Sequence, residues 1–238
     1  MQPTVEVSFS PLLYPYKITQ DNYTTVVVDI FRATTSMVSA LNYGIRSIIP
    51  VKGVDEARKM KENGYLVACE RDGKLLDFAD IGNSPSDFWL DSLKNKSLAF
   101  STTNGTQAVN MAKEDSQKVL VGAFINLQAL VKPLLSANQH VVILCAGWKN
   151  LFNLEDTLFA GALANKLIDA GFITHCDAAK AAMHLWRDAC KDLKGYLCNS
   201  SHRQRLSHIL SQQDFEYSIT IDSCEVVPIL KDNQLIKL

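Results

Sequence analysis

Runs of β-branched and aliphatic residues alternate along this chain with stretches that carry apolar positions at helical spacing. The run at 24–28 is continuously apolar or β-branched, as a strand covered on both faces of a parallel sheet requires. The same pattern predicts strands at 5–9, 45–51, 65–69, 97–101, 118–121 and 141–144. Helices are predicted between them at 35–42, 54–62, 106–112 and 126–136. A short one should start near Pro85 or Ser86, because proline tolerates a first helical turn. Residues 154–170 make the longest predicted helix, with Asp156 in its first turn and Gly171 as a stop. Another long helix is expected at 177–193 and a shorter helical segment at 206–210. Strands at 217–221 and 225–230 should close the chain as an edge or a hairpin. Repeated strand–helix alternation of this kind predicts an α/β protein, three-layer α/β/α, with a mostly parallel and at its end mixed sheet.

Length narrows the organisation. A chain of 238 residues buries a full core, as one compact unit or as two closely packed α/β subdomains. Hydrophobic residues make up 47% and charged residues 21%, with a formal charge of -1, which is the profile of a globular domain. That balance argues against a nucleic-acid partner. The one basic stretch, 180–205, carries six Lys or Arg against two Asp and reads equally well as a solvated helical face. The six cysteines form no CxxC pair and match no zinc ribbon. No apolar run reaches bilayer length, so no membrane partner is expected. With no secretory pattern at the start, a cytoplasmic location with free thiols is the expectation. A homodimer is the assembly expected of an α/β enzyme.

Candidate chemistry lies where strands end. Four polar clusters follow apolar runs: Asp29 to Thr35, Gly82 to Pro85, Ser101 to Thr106, and Cys145 to Gly147. Carboxyl ends of strands are where open α/β sheets bind ligands. Asp29 ends the most apolar strand, and burying a carboxylate there is costly unless it faces a site or a donor. Arg32 offers a rigid fork for a phosphate or carboxylate, and Thr34 and Thr35 open a helix whose free N–H groups suit an anion. Helix capping is the competing role for Asp29 and Thr34. Thr102, Thr103, Asn104, Gly105 and Thr106 repeat this arrangement, and Asn104-Gly105 suggests a turn with positive φ. Ordinary capping explains them equally well, and no Walker A pattern is present. Glu70, Asp72, Asp77 and Asp80 crowd one loop, and carboxylate oxygens are what Mg²⁺ prefers. Glu155 and Asp156 form a second acidic pair that helix-dipole complementarity also explains. Cys145 occupies a junction where a thiol can be activated, yet CX5R fails because Leu151 stands where arginine is needed. The Asp29 segment likewise lacks the DxD of aspartyl-phosphate enzymes. The five histidines make no ligand pattern, and surface or capping positions are expected of them.

Taken in order, Val28-Asp-Ile-Phe-Arg-Ala-Thr-Thr35, Glu70-Arg71, Gly82-Asn-Ser-Pro85, Thr102-Thr-Asn-Gly-Thr106, Cys145-Ala-Gly147 and Glu155-Asp156-Thr-Leu-Phe-Ala-Gly161 resemble the 2-phosphosulfolactate phosphatase family. The resemblance implies Mg²⁺-dependent hydrolysis of 2-phospho-3-sulfolactate, in coenzyme M biosynthesis, or of a related 2-hydroxy-acid phosphate. Phe31 replaces a common leucine, and Asp77 to Gly82 departs from the usual glycine-rich approach to Asn-Ser-Pro. On this basis Asp29, Glu70 and Asp156 are the expected Mg²⁺ ligands. Arg32 would hold the phosphate, helped by Thr34, Thr35, Asn83, Ser84, Thr102, Thr103, Gly105 and Thr106. Asn104 joins Asp29, Arg32 and Glu70 as a catalytic candidate, and Cys145, Gly147 and Glu155 are further candidates. In-line attack by metal-activated water, with Asp29 or Glu70 as base, is the simplest chemistry. Phosphoryl transfer to an acceptor and non-catalytic binding of a small anion are the alternatives.

Overall fold

A computed structural model describes residues 2–17, 22–71 and 73–238. The chain begins with β1 (Val5–Ser8), β2 (Tyr23–Val28), α1 (Ala33–Asn42), β3 (Ser47–Pro50) and α2 (Val54–Glu62). It continues through β4 (Leu66–Arg71), β5 (Lys74–Leu75), β6 (Ser97–Ser101), α3 (Gly105–Asp115), β7 (Lys118–Gly122), α4 (Leu127–Ala137) and β8 (His140–Cys145). Helices α5 (Leu154–Asp169), α6 (Asp177–Ala189), α7 (Leu193–Cys198), α8 (Ser201–Arg205) and α9 (Gln212–Ser218) follow, and β9 (Pro228–Lys231) and β10 (Gln234–Lys237) close the chain. Helices cover both faces of one mixed sheet of ten strands, which is the three-layer α/β/α arrangement that alternation predicts.

Strand order is β1-β8-β2-β7-β9-β10-β3-β6-β4-β5. The block β1-β8-β2-β7 is parallel throughout, and so is β3-β6-β4. Between them stands the β9–β10 hairpin, antiparallel to β7 on one side and to β3 on the other. The three successive reversals leave the two parallel blocks running in opposite senses. Helices α1 and α3 pack against strands of both blocks. This explains why α1 buries nearly its whole surface: Ala33 to Leu41 are all buried.

Local signals account for most of the elements. Val26, Val27 and Val28 are fully buried in the middle of the first block. Gly44 at φ 110° and Gly171 at φ 102° end α1 and α5 in a conformation that glycine adopts without steric cost. Departures from the sequence expectations concentrate after residue 176. The helix expected at 177–193 stops at Ala189, and Asp192 caps a new one by accepting from Gly195 N. The helical segment expected at 206–210 is irregular, and the helix lies just before it as α8. The strand expected at 217–221 is instead the end of α9 and a turn. Ser211 caps α9, and Phe215 and Tyr217 pack on Phe31 and Trp89, so packing and capping outweigh the β-branched pattern. The closing hairpin is instead made by Pro228–Lys231, which overlaps the strand expected at 225–230, and by Gln234–Lys237, where no strand is expected, and it lies within the sheet and not at its edge. Near Pro85 the chain makes only a short 3-10 turn, Pro85–Phe88.

Candidate active site

Carboxyl ends from both blocks meet in one place. Asp29 follows β2, Glu70 lies in β4 and Thr102 follows β6. With Arg32, Asn83, Asn104 and Gly73 they line a narrow recess of about 20 Å³, roofed by Phe31, Trp148, His202 and Leu206. Arg32, Glu70, Gly73 and Asn83 also line a wider cleft of about 540 Å³, with Ser84, Asp87, Asp80 and Ile209 among its walls. The recess therefore sits at the floor of the cleft.

Asp29 is the deepest acid of the recess. Its main-chain N–H donates to Thr34 Oγ1 at 2.9 Å, and its carbonyl accepts from Thr34 N, so the turn after β2 is closed on itself. The Phe31–Arg32 peptide within this turn is cis. Burial pushes the Asp29 carboxyl up to about 6, with Glu155 and Glu70 adding repulsion, against His202 and the Ala33 N–H, which favour the carboxylate. Arg32 is 5% exposed and donates from Nη1 to Ser84 Oγ at 2.7 Å. Burial pulls it below the usual guanidinium range, while Glu70, Asp214, Asp87 and Asp29 hold its charge in place. Glu70 accepts from Gly73 N through Oε2.

Several of the expected phosphate ligands also hold the chain's own turns. The Thr34 hydroxyl is used by Asp29 N, and Thr35 Oγ1 donates to the Ile30 carbonyl at 2.9 Å. Thr102 and Thr106 bond to each other in both directions, which fixes the entry to α3. The positive φ expected at Asn104-Gly105 does not occur. Glycine is needed at 105 for close approach: a Cβ there would lie 2.4 Å from Ala33 Cβ and 2.9 Å from Asp29 Oδ2. Asn104 lines the recess and accepts from Lys149 N through Oδ1. Thr103 is half-buried beside it. Asn83 and Ser84 both face the cleft, and Asn83 Oδ1 is buried without a hydrogen-bond partner.

Asp156 is not brought into the recess. It is fully buried, its Oδ1 accepting from Ile30 N at 2.9 Å and its Oδ2 from Gly147 N at 3.0 Å. It thereby ties the turn after β2 to the turn after β8. Burial pushes its carboxyl well above the usual range, reinforced by Glu155 and Asp29. Cys145 is likewise fully buried, and burial, with Asp156 and Glu155 behind it, pushes its thiol up, the opposite of an activated thiolate. Gly147 (φ 63°) makes the turn that presents its N–H to Asp156. Asp77 pairs with Arg58 at the surface, and Asp80 pairs with Lys61 and accepts from Val67 N; Asp80 shares the cleft wall with Glu70 but not the recess. Asp72 lies outside the described residues.

Two site residues escape the sequence patterns. His202 is 3% exposed, and its Nδ1 meets Oε1 of Glu155, itself wholly buried. Trp148 packs against the same ring at 5.6 Å between centroids. Lys149 and Arg205 bring positive charge to the Trp148 ring, at 5.1 Å and 5.5 Å.

The recess has donors suited to a hard cation. Among the described residues no three His, Cys, Asp or Glu side chains group to hold a metal by themselves. Asp29, Glu70 and the orphaned Asn83 oxygen nonetheless line one cavity, and Mg²⁺ commonly takes one or two carboxylates and fills its remaining positions with water and substrate oxygens.

Comparison with known proteins identifies the family. The sequence profile described as 2-phosphosulpholactate phosphatase matches residues 10–233. The chain belongs to this family. Relatives in the 2-phosphosulpholactate phosphatase family cover nearly their whole length. A protein of Pseudothermotoga lettingae named "Probable 2-phosphosulfolactate phosphatase" is 35% identical over 95% of this chain and 97% of its own. Proteins of the same name from Thermotoga maritima and Microcystis aeruginosa are 34% and 36% identical, over 87% and 89% of this chain and 88% and 90% of theirs. Membership makes this chain a phosphatase-type hydrolase. No helix among the described residues is long and apolar enough to cross a membrane.

Proposed function

We propose that this protein is a Mg²⁺-dependent phosphomonoesterase that releases phosphate from 2-phospho-3-sulfolactate or a related 2-hydroxy-acid phosphate. One observation carries this reading: Asp29, Glu70 and Arg32 meet in a recess at the floor of a cleft. The names of the relatives support the substrate class.

A space of about 20 Å³ holds roughly one water or ion, not a phosphate group. The phosphoryl group would then lie where recess and cleft meet, against Arg32 and Ser84. Arg32 holds the equatorial oxygens and stabilises the charge they carry. Asp29, as carboxylate, orients the water and accepts its proton as the new P–O bond forms. A Mg²⁺ ion held by Asp29, Glu70 and Asn83 would neutralise phosphoryl charge and acidify bound water. A cytoplasmic location completes this proposal.

The test is phosphate release from 2-phospho-3-sulfolactate, phospholactate and phosphoglycolate, with and without Mg²⁺ and with and without an acceptor alcohol. Hydrolysis of a 2-hydroxy-acid phosphate, abolished by chelation and restored by Mg²⁺, is the expected result. R32A should lower kcat/KM by about 10²–10³-fold and D29N by about 10²–10⁴-fold. Full turnover in either variant overturns the assignment. Transfer to the acceptor in place of phosphate release overturns the hydrolase reading.

A further inference from the structure

The buried Glu155–His202 pair is unused in the chemistry above. His202 lines the recess with Asp29, Arg32 and Glu70, but it comes from α8 in the helical cap, not from a strand end. Its Nδ1 is held by Oε1 of Glu155, and Asn153 Nδ2 lies 3.1 Å from the same atom. The ring is set between Phe31 and Trp148, at centroid separations of 6.4 Å and 5.6 Å. A carboxylate behind Nδ1 fixes the orientation of an imidazole and leaves Nε2 as the nitrogen for chemistry. Glu155 Oε2 is buried without a partner, so the carboxylate behind the ring is held at a cost in unpaired polar surface. Hydrolysis of a 2-hydroxy-acid phosphate expels a basic alkoxide. Asp29 deals with the proton of the water, and the departing oxygen needs a proton of its own. Among the described residues lining the recess, His202 carries the only imidazole.

We infer that His202 is the general acid of the reaction and that Glu155 is its positioning residue. The role rests on the hydrolysis proposed above. As the water oxygen bonds to phosphorus, the bond from phosphorus to the C2 oxygen breaks and its electron pair stays on that oxygen. The Nε2 proton of His202 passes to it, giving the free hydroxy acid. The proton taken by Asp29 returns to solvent, and solvent reloads His202.

Two esters read this role separately from folding. Purified wild type, H202Q and E155Q are assayed on 2-phospho-3-sulfolactate, an alkyl ester, and on p-nitrophenyl phosphate, whose phenolate leaves without a proton. H202Q should lose about 10²–10⁴-fold in kcat on the alkyl ester and less than about tenfold on the aryl ester. E155Q should shift the ratio in the same direction by a smaller factor. The ratio is taken within one protein sample, so a reduced folded fraction cancels. An unchanged ratio in H202Q, with wild type active on both esters, overturns the role of His202 alone. A wild type inert on both overturns the phosphatase reading, and the role of His202 with it.

Discussion

Asp29 is the residue on which burial and chemistry collide. Its carboxyl is held near pKa 6 chiefly because it is buried. Two consequences follow with opposite signs. For catalysis the carboxylate is required, so kcat/KM should fall on the acid side, with an apparent pKa near 6 at low metal that moves down as Mg²⁺ is raised, because a cation on Asp29 favours the carboxylate. For stability, the folded protein binds the Asp29 proton more tightly than the unfolded chain does. Stability therefore declines as pH rises from the usual carboxylate value of 3.8 to about 6, and the penalty is complete above that. D29N removes the charge and keeps an acceptor for the Ala33 N–H. It should carry that loss of about 10²–10⁴-fold in kcat/KM and yet be more stable than wild type by about 1–3 kcal/mol at pH about 7.5, with the gain vanishing near pH 4. Urea unfolding at the two pH values measures it, and an Asn variant that is less stable at both would contradict it. Asp29 and Arg32 are legible in the sequence because a charge directly after a buried strand needs a reason. His202 is not legible, because its partner Glu155 lies 47 positions earlier and reads locally as a favourable helix-start acid. The clue available in the sequence was Glu155 itself, an acid set among the apolar residues of a helix and therefore in need of a donor from elsewhere.

At the scale of elements, the site depends on how closely helix starts approach strand ends. The start of α3 touches both the α1 start and the Asp29 carboxylate through Gly105. The reciprocal bonds between Thr102 and Thr106 set the direction in which α3 leaves β6. The threonines read as phosphate ligands in the sequence because a cap and an anion cradle use the same residue types at the same place. Here Thr34, Thr35, Thr102 and Thr106 bond to the chain's own turns, as caps do. G105A tests the consequence. The added methyl must push α3 from Ala33, costing about 1–3 kcal/mol, and in moving α3 it disturbs Asp29. The expected outcome is a lower melting temperature together with a kcat loss larger than the change in KM. A33G in the same chain should restore part of both, because it removes the atom that the new methyl meets at 2.4 Å. Failure of A33G to recover anything would show that contact with Asp29, and not with α1, dominates.

The whole molecule poses a different question, since its two parallel blocks run in opposite senses and contribute to one site. Each block is built from local strand–helix units, which is why the sequence pattern reveals them. The join is made by the last residues of the chain, and nothing near 228–237 indicates which strands they separate. The hairpin touches the blocks through short pairings, Leu120 with Ile229 and Leu235 with Ile48. Leu235 is fully buried between β9 and β3 and lies in the same apolar core as Val28, Ile48 and Leu120. Side chains of α1 and α3 continue that core across the join. We propose that the blocks unfold together, despite the thin strand pairing, because their apolar surfaces are shared and neither block could shed the other without exposing α1 and α3. L235A should then cost about 2–5 kcal/mol and lower the midpoint of one cooperative transition. Tryptophan emission samples Trp89, Trp148 and Trp186 on different parts of the molecule, while far-ultraviolet dichroism reports all helices. Coincident curves from the two signals in wild type and in L235A support a single unit. Two separated transitions in L235A would mean that the hairpin alone, not the helices between the blocks, keeps Asp29 and Glu70 facing each other.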